Sequence, residues 1–269
     1  MQKIIITGAD GRMGRALIEA VIDSEGVELA GAVVQTGAAV IGTDAGIMVG
    51  KPALGIVVND DLNAQLSSDS TVIDFTAPSA TLSYLPLIAK AQAQIIIGTT
   101  GFTEAELNEL NRYGDSIKAV FAGNYSVGVN LTLQLLRTAA KIIGESSDIE
   151  IIEAHHKHKV DAPSGTALMM GEAVAGAMNS TVKEKGVFSR EGITGAREAG
   201  TIGFSTIRGG DIVGEHSVLF CSEGERVEIA HKASSRQTFA RGAVRAAKWL
   251  EQQSSNGIYN MEDVLGFRA

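Results

Sequence analysis

The chain has 269 residues, 45% of them hydrophobic and 20% charged, an ordinary globular mixture able to bury one large core or two smaller ones. Its formal net charge of −8 argues against a chain-wide electrostatic affinity for nucleic acid or an anionic membrane. One cysteine, Cys221, excludes an internal disulfide and a multi-cysteine metal site; with no signal-peptide pattern and no apolar run near the ~20 residues of a membrane span, a cytoplasmic protein is expected.

Ile4 to Thr7 is β-branched and apolar and reads as a strand. Gly8 to Gly14 follows as a glycine-rich turn, and Arg15 to Asp23 carries Ala16, Leu17, Ala20 and Val21 at helical spacing. This is the opening of a Rossmann unit. The glycines follow a G-x-x-G-x-x-G spacing, a variant of the dinucleotide-binding pattern, in which close backbone approach and a helix N-terminus receive a pyrophosphate. Gly8, Ala9, Asp10, Gly11, Arg12 and Met13 are therefore candidate cofactor contacts. Tight strand–helix packing uses the same glycines, so the turn is informative mainly through its place at the head of a strand–helix alternation.

Val27 to Val34 reads as the second strand. About 20 residues beyond such a turn, an acidic side chain usually holds the ribose of NAD, or an arginine the phosphate of NADP. Val34-Gln35-Thr36 stands there instead, so Gln35 is a candidate contact and the cofactor is expected to be NADH and/or NADPH. Thr71 to Thr76, Gln94 to Gly98 and Ala119 to Ala122 read as further strands, with helices over Ser79 to Ala91 and Thr103 to Tyr113. In an open parallel sheet, ligands lie outside the carboxyl ends of the strands. The tips Phe75-Thr76, Gly98-Thr99-Thr100 and Ala122-Gly123-Asn124-Tyr125 thus become candidate contacts, although short βα turns favour the same residue types for backbone reasons.

After Ser126 the texture changes. Val129 to Gly144 reads as a helix, and Asp148 to Ala154, Gly200 to Arg208, Ile212 to Cys221 and Arg226 to Lys232 show β-type patterning. This predicts a second α+β domain on a mostly antiparallel or mixed four-stranded sheet, beside the parallel Rossmann-like sheet of an α/β protein. Residues 179–200 read as a long loop able to order over the site. Ser235 to Gln252 is helical.

Three of the five histidines fall within His155-His156-Lys157-His158-Lys159, between a strand end and the helix start Pro163-Ser164-Gly165-Thr166. Histidine titrates near neutrality, lysine supplies charge, and a helix N-terminus aims N–H groups at an anion, so the run reads as a proton-donating, anion-binding site. Two rivals stand beside it: a solvated charged surface, and a metal site. Lys157 and Lys159 put positive charge where a cation would sit, and no metal is expected.

Several segments together carry a family resemblance. They are Gly-Ala-Asp-Gly-Arg-Met-Gly at 8–14, Ile-Asp-Phe-Thr at 73–76, Gly-Thr-Thr-Gly-Phe at 98–102, Asn-Tyr-Ser-Val-Gly-Val-Asn at 124–130, Glu-Ala-His-His-Lys-His-Lys-Val-Asp-Ala-Pro-Ser-Gly-Thr-Ala at 153–167 and Gly-Asp-Ile-Val-Gly-Glu-His at 210–216. The chain resembles the 4-hydroxy-tetrahydrodipicolinate reductases of bacterial lysine biosynthesis over essentially its whole length. The resemblance implies a dinucleotide-binding Rossmann domain over 1–125 plus 236–269, and a substrate-binding and oligomerisation domain over 126–235 in a homotetramer. It implies hydride delivery from NAD(P)H to a cyclic, imine-containing dicarboxylate, formed by loss of water from 4-hydroxy-tetrahydrodipicolinate, to give tetrahydrodipicolinate. By the same resemblance His155 is the leading catalytic proton donor or acceptor, Lys159 is the second proton donor, and His156, Gly165 and Thr166 bind substrate. A dehydrogenase for another amino-acid-derived dicarboxylate and a non-catalytic dinucleotide-binding regulator are the competing readings.

Overall fold

The computed structural model describes residues 1–267, which divide into two compact units: Met1–Ser126 with the segment from Arg236 onward, and Val127–Ser235. The first begins with β1 (Gln2–Thr7), α1 (Arg12–Ile22) and β2 (Val27–Val33). Two short helices, α2 (Ala45–Met48) and α3 (Leu62–Gln65), occupy the connection to β3 (Ser70–Asp74). Asp44 and Asp61 cap them by accepting amide hydrogen bonds from Gly46 and Ile47, and from Ala64. Then come α4 (Pro78–Ala91), β4 (Gln94–Ile97), α5 (Glu104–Asn111) and β5 (Lys118–Phe121). Proline opens α4, where its missing N–H costs nothing, and Thr103 with Glu106 forms a capping box at the start of α5.

The second unit contains α6 (Val127–Ile143), β6 (Asp148–His155), α7 (Gly165–Ala177), α8 (Val182–Lys185), β7 (Gly186–Val187), β8 (Ile202–Arg208), β9 (Gly214–Ser222) and β10 (Glu225–Ala233). Its sheet has five strands in the order β10-β9-β6-β8-β7, not the four expected. The fifth, β7, is two residues long, too short for alternation to reveal, and lies within the presumed loop 179–200. Pairing is mixed: β9 runs antiparallel to β6 and β10, while β6–β8 and β8–β7 are parallel. The rest of that loop does not order over the histidines. Arg190 binds Glu150 through two hydrogen bonds of 2.8 and 2.9 Å, and Arg197 reaches Glu150 at 3.0 Å and Asp148 at 2.9 Å. These ties are at the start of β6, and His155 is at its end.

In β6, Ile149, Ile151, Glu153 and His155 share the buried face; Val218 and Phe220 of β9 join it, under a cover of Val129, Leu133 and Leu136 from α6 and Met170 and Val174 from α7. On β8 and β10, by contrast, Ile207 and Val227 remain 50% and 40% exposed.

The chain returns to the first unit through α9 (Gln237–Glu251), β11 (Gly257–Tyr259) and α10 (Met261–Leu265). The first sheet is wholly parallel, in the order β11-β5-β4-β3-β1-β2. Ala243, Val244, Ala247 and Leu250 of α9 pack with Leu17 and Val21 of α1 against one face, while Leu85, Ile88 and Leu110 of α4 and α5 fill the other. With both faces covered, the strands are continuous apolar runs such as Ile4-Ile5-Ile6 and Ile95-Ile96-Ile97, all fully buried. The chain leaves β1 for β2 on one side and then resumes at β3 on the other. This reversal is the topological switch point where open α/β sheets bind ligands.

Candidate active site

At the switch point, the glycine turn joins β1 to α1. Gly8 has φ +61°, a left-handed conformation that glycine adopts without strain. At Gly14 a Cβ would strike the Gly8 carbonyl and the Ala9 backbone, so the helix can lie this close to the turn only with glycine there. No side chain caps α1 at Gly11, leaving first-turn amides for a ligand. Asp10, Gly11 and Arg12 are exposed, Met13 and Gly8 are half-buried, and Ala9 is buried with its amide bonded to the Val33 carbonyl at 3.0 Å. Gln35 is exposed just beyond β2. This uncapped cradle fits a pyrophosphate.

Asp74, which the sequence offered only inside the 73–76 segment, organises the neighbouring tips. Asp74, fully buried at the end of β3, accepts hydrogen bonds from Thr7 (2.7 Å), Thr76 (2.6 Å), Thr99 (3.2 Å) and Thr81. The Thr99 hydroxyl in turn accepts from the Thr76 amide at 3.0 Å. Thr99 is only 2% exposed, so its side chain fastens the β3 and β4 tips together, while Thr100 beside it is exposed. Gly98 lies where a Cβ would enter the Phe75 ring. Tyr125 is 1% exposed, with its hydroxyl 2.8 Å from the Val120 carbonyl and 3.0 Å from that of Ile97. Asn124 accepts from the Ser126 amide at 2.8 Å, Ala122 is half-buried and Gly123 is exposed.

In the second unit the histidine run leaves the end of β6. His155 is 9% exposed, and its Nδ1 lies 2.6 Å from the Glu153 carboxylate. Glu153, 1% exposed, also accepts from Arg208 through two 2.8 Å bonds, from the Ser164 amide at 3.0 Å and from the Thr206 hydroxyl at 3.3 Å. Burial pushes its carboxyl up, but Arg208, His155 and the Ser164 amide outweigh that and hold it at about 2. His216, from β9, stacks edge-on against His155 with ring centroids 5.1 Å apart, and its Nε2 bonds the Ser164 hydroxyl at 2.8 Å. Burial, then the neighbouring His155, lowers His216 to about 4, so it is neutral at pH 7.

Ser164 also caps α7 by accepting from the Ala167 amide at 3.1 Å. Gly165 is exposed and Thr166 half-buried at the same helix start. Lys159 pairs with Asp161 at 2.8 Å, and that hydrogen bond, outweighing burial and aided by the lysine charge, holds the carboxyl below the usual range. His156 is half-buried, with its amide bonded to the Ile212 carbonyl at 2.8 Å, whereas Lys157 and His158 are exposed. One signal for the missed Glu153 was in the sequence: it shares strand parity with Ile149 and Ile151, and a carboxylate on a core face demands partners. The long sequence separation of Arg208 and His216 hid those partners.

Family models described as dihydrodipicolinate reductase, N-terminus and C-terminus, match residues 2–125 and 128–265. The chain belongs to the dihydrodipicolinate reductase family. A curated relative from Laribacter hongkongensis (strain HLHK9), 4-hydroxy-tetrahydrodipicolinate reductase, is 54% identical over 266 residues, covering 99% of this chain and 98% of its own. The dipicolinate-bound dihydrodipicolinate reductase from Paenisporosarcina sp. TG-14 superposes with a TM-score of 0.77 at 25% identity, over 98% of this chain and 99% of that one. An amine dehydrogenase from Mycobacterium smegmatis, at 14% identity and a TM-score of 0.65 over 95% of this chain and 94% of its own, shares the fold. The resemblance read from residues 153–167 and the other five segments is thus matched by the family across both units of this reductase-family chain.

Proposed function

We propose that the protein is an NAD(P)H-dependent 4-hydroxy-tetrahydrodipicolinate reductase of the diaminopimelate route to lysine. The observation that supports this most strongly is the family match across both units, together with 54% identity to a reductase of that name over nearly the whole chain. The reaction adds a hydride at C4 of the dehydrated, cyclic imine dicarboxylate and a proton to the electron density that the addition leaves; the products are tetrahydrodipicolinate and the oxidised nucleotide.

The glycine turn, the amides starting α1, Gln35 and the tips at 98–100 and 122–125 hold the dinucleotide. When bound, its nicotinamide supplies the hydride. His155 supplies the proton as a general acid, a role generally worth about 10²–10⁴-fold in rate. Lys159 is a second proton donor, and its charge favours a dianionic substrate. His156, Gly165 and Thr166 bind a substrate carboxylate at the start of α7, where the helix dipole favours negative charge. We also assign the protein to the cytoplasm, on the single cysteine and the absence of a helix long and apolar enough to cross a membrane among the described residues. A homotetramer formed through the second sheet is supported by its exposed Ile207 and Val227.

The test is oxidation of NADH or NADPH in the presence of the condensation product of pyruvate and aspartate semialdehyde. Turnover with this compound, and none with other keto or imino acids, is the expected result. Absence of turnover with either nucleotide refutes the assignment.

A further inference from the structure

Glu153 gathers five hydrogen bonds at the proposed proton site. Its Oε1 accepts from three donors, the Ser164 amide at 3.0 Å, Arg208 at 2.8 Å and Thr206 at 3.3 Å, while Oε2 faces His155 Nδ1 at 2.6 Å and Arg208 at 2.8 Å. An ionised carboxylate only accepts hydrogen bonds, so the nitrogen facing it must carry hydrogen whether the imidazole is neutral or charged. The exchangeable proton of His155 is therefore on Nε2. Among the described residues nothing hydrogen-bonds that nitrogen. Gly214 stands beside it, where even a Cβ would come within 3.0 Å, so the backbone there leaves Nε2 its space.

The same carboxylate fixes the approach to α7. It holds the Ser164 amide immediately before Gly165 and Thr166, and its partner Arg208 also donates to the Asp161 carbonyl at 2.6 Å in the loop that carries Lys159. We propose that Glu153, locked by Arg208, is the positioning residue of this site: it holds His155 as the Nδ1–H tautomer, so that Nε2 is the atom that gives up the proton. In that step the Nε2–H bond of the imidazolium breaks, the proton passes to the substrate carbon, and a neutral imidazole protonated on Nδ1 remains. The inference rests on the reductase reading for the reaction, but the tautomer is a property of the protein alone.

Glu153→Gln tests it. Three donors converge on the Oε1 side, so the new amide carbonyl stays there and the NH₂ group turns toward His155. Nδ1 must then accept, and the hydrogen moves to Nε2 in the neutral ring. With ¹⁵N-histidine-labelled protein, long-range ¹H–¹⁵N spectra are expected to show Nδ1–H for neutral His155 in the wild type and Nε2–H in the variant. Turnover is expected to fall about 10²- to 10⁴-fold, the range lost with a general acid or a wrong tautomer, while KM for the nucleotide stays unchanged. Should the unpaired Arg208 prevent folding, the Glu153→Gln/Arg208→Met double variant removes that charge and is expected to give the same two results. Wild-type turnover in a folded variant, or a wild-type His155 that is Nε2–H when neutral, overturns the proposal. A wild-type enzyme that shows the expected tautomer but does not turn over the condensation product refutes the reaction, and leaves the positioning role intact.

Discussion

At the end of β6, Glu153, His155 and His216 share a core face, and two of them contribute to how the second unit responds to acid. His216 titrates at about 4 in the fold against 6.5 in the ordinary state, because burial and then His155 oppose its charge. The unfolded chain therefore binds more protons between those values, and stability falls as pH drops from 6.5 toward 4. Glu153 has the usual carboxylate sign. Its stabilising contribution is complete above its ordinary value of 4.5 and is lost as pH falls toward about 2. A melting curve followed against pH should show Tm declining from pH 6.5 downward, and His216→Asn should flatten the upper part of that decline. An unchanged Tm from pH 6.5 to 4 in the wild type contradicts the buried, neutral His216. The sequence made His155 conspicuous and offered His216 only as the last residue of the 210–216 segment, with no role, because a single histidine in an alternating strand shows its importance only through what packs on it. Glu153 was quoted within a motif, yet its five hydrogen bonds come from residues 155, 164, 206 and 208, and most of those separations exceed what local spacing reveals.

The elements that hold the dinucleotide cradle were legible wherever their physics was local. The switch from strand to helix period around Gly8–Gly14 places β1 and α1, and continuous isoleucine runs identify strands buried on both faces. The elements that escaped are short: β7 with two residues, β11 with three, α2, α3 and α8 with four each, and α10 with five. They exist because an established strand edge or a capping side chain holds them, and neither produces a periodic signal. Among the cradle glycines, Gly14 has the least room. Gly14→Ala should push α1 away from the turn, and we expect Kd for NADH to rise roughly tenfold or more, about 1.4 kcal/mol per factor of ten. Calorimetric titration measures it; an affinity equal to the wild type would show that the close approach does not serve the nucleotide. Gly242 on α9 is a parallel case of packing alone, since a Cβ there would meet the Tyr125 carbonyl within the same unit.

Across the whole molecule, the chain interrupts its first unit after Ser126, builds the second, and returns from Arg236 to add α9 and β11 to the first. The change from continuous apolar strands to alternating ones marks the second unit in the sequence, but periodicity alone does not tell to which sheet a C-terminal helix returns. The proposed cofactor cradle belongs to the first unit and the proposed histidine–lysine site to the second, so the two functions should separate on mutation. The most direct measurement is kcat and nucleotide Kd for His155→Ala and Lys159→Ala, with the condensation product of pyruvate and aspartate semialdehyde as substrate. In both variants kcat is expected to fall about 10²- to 10⁴-fold with nucleotide affinity essentially that of the wild type. Near-normal turnover in both variants would contradict it.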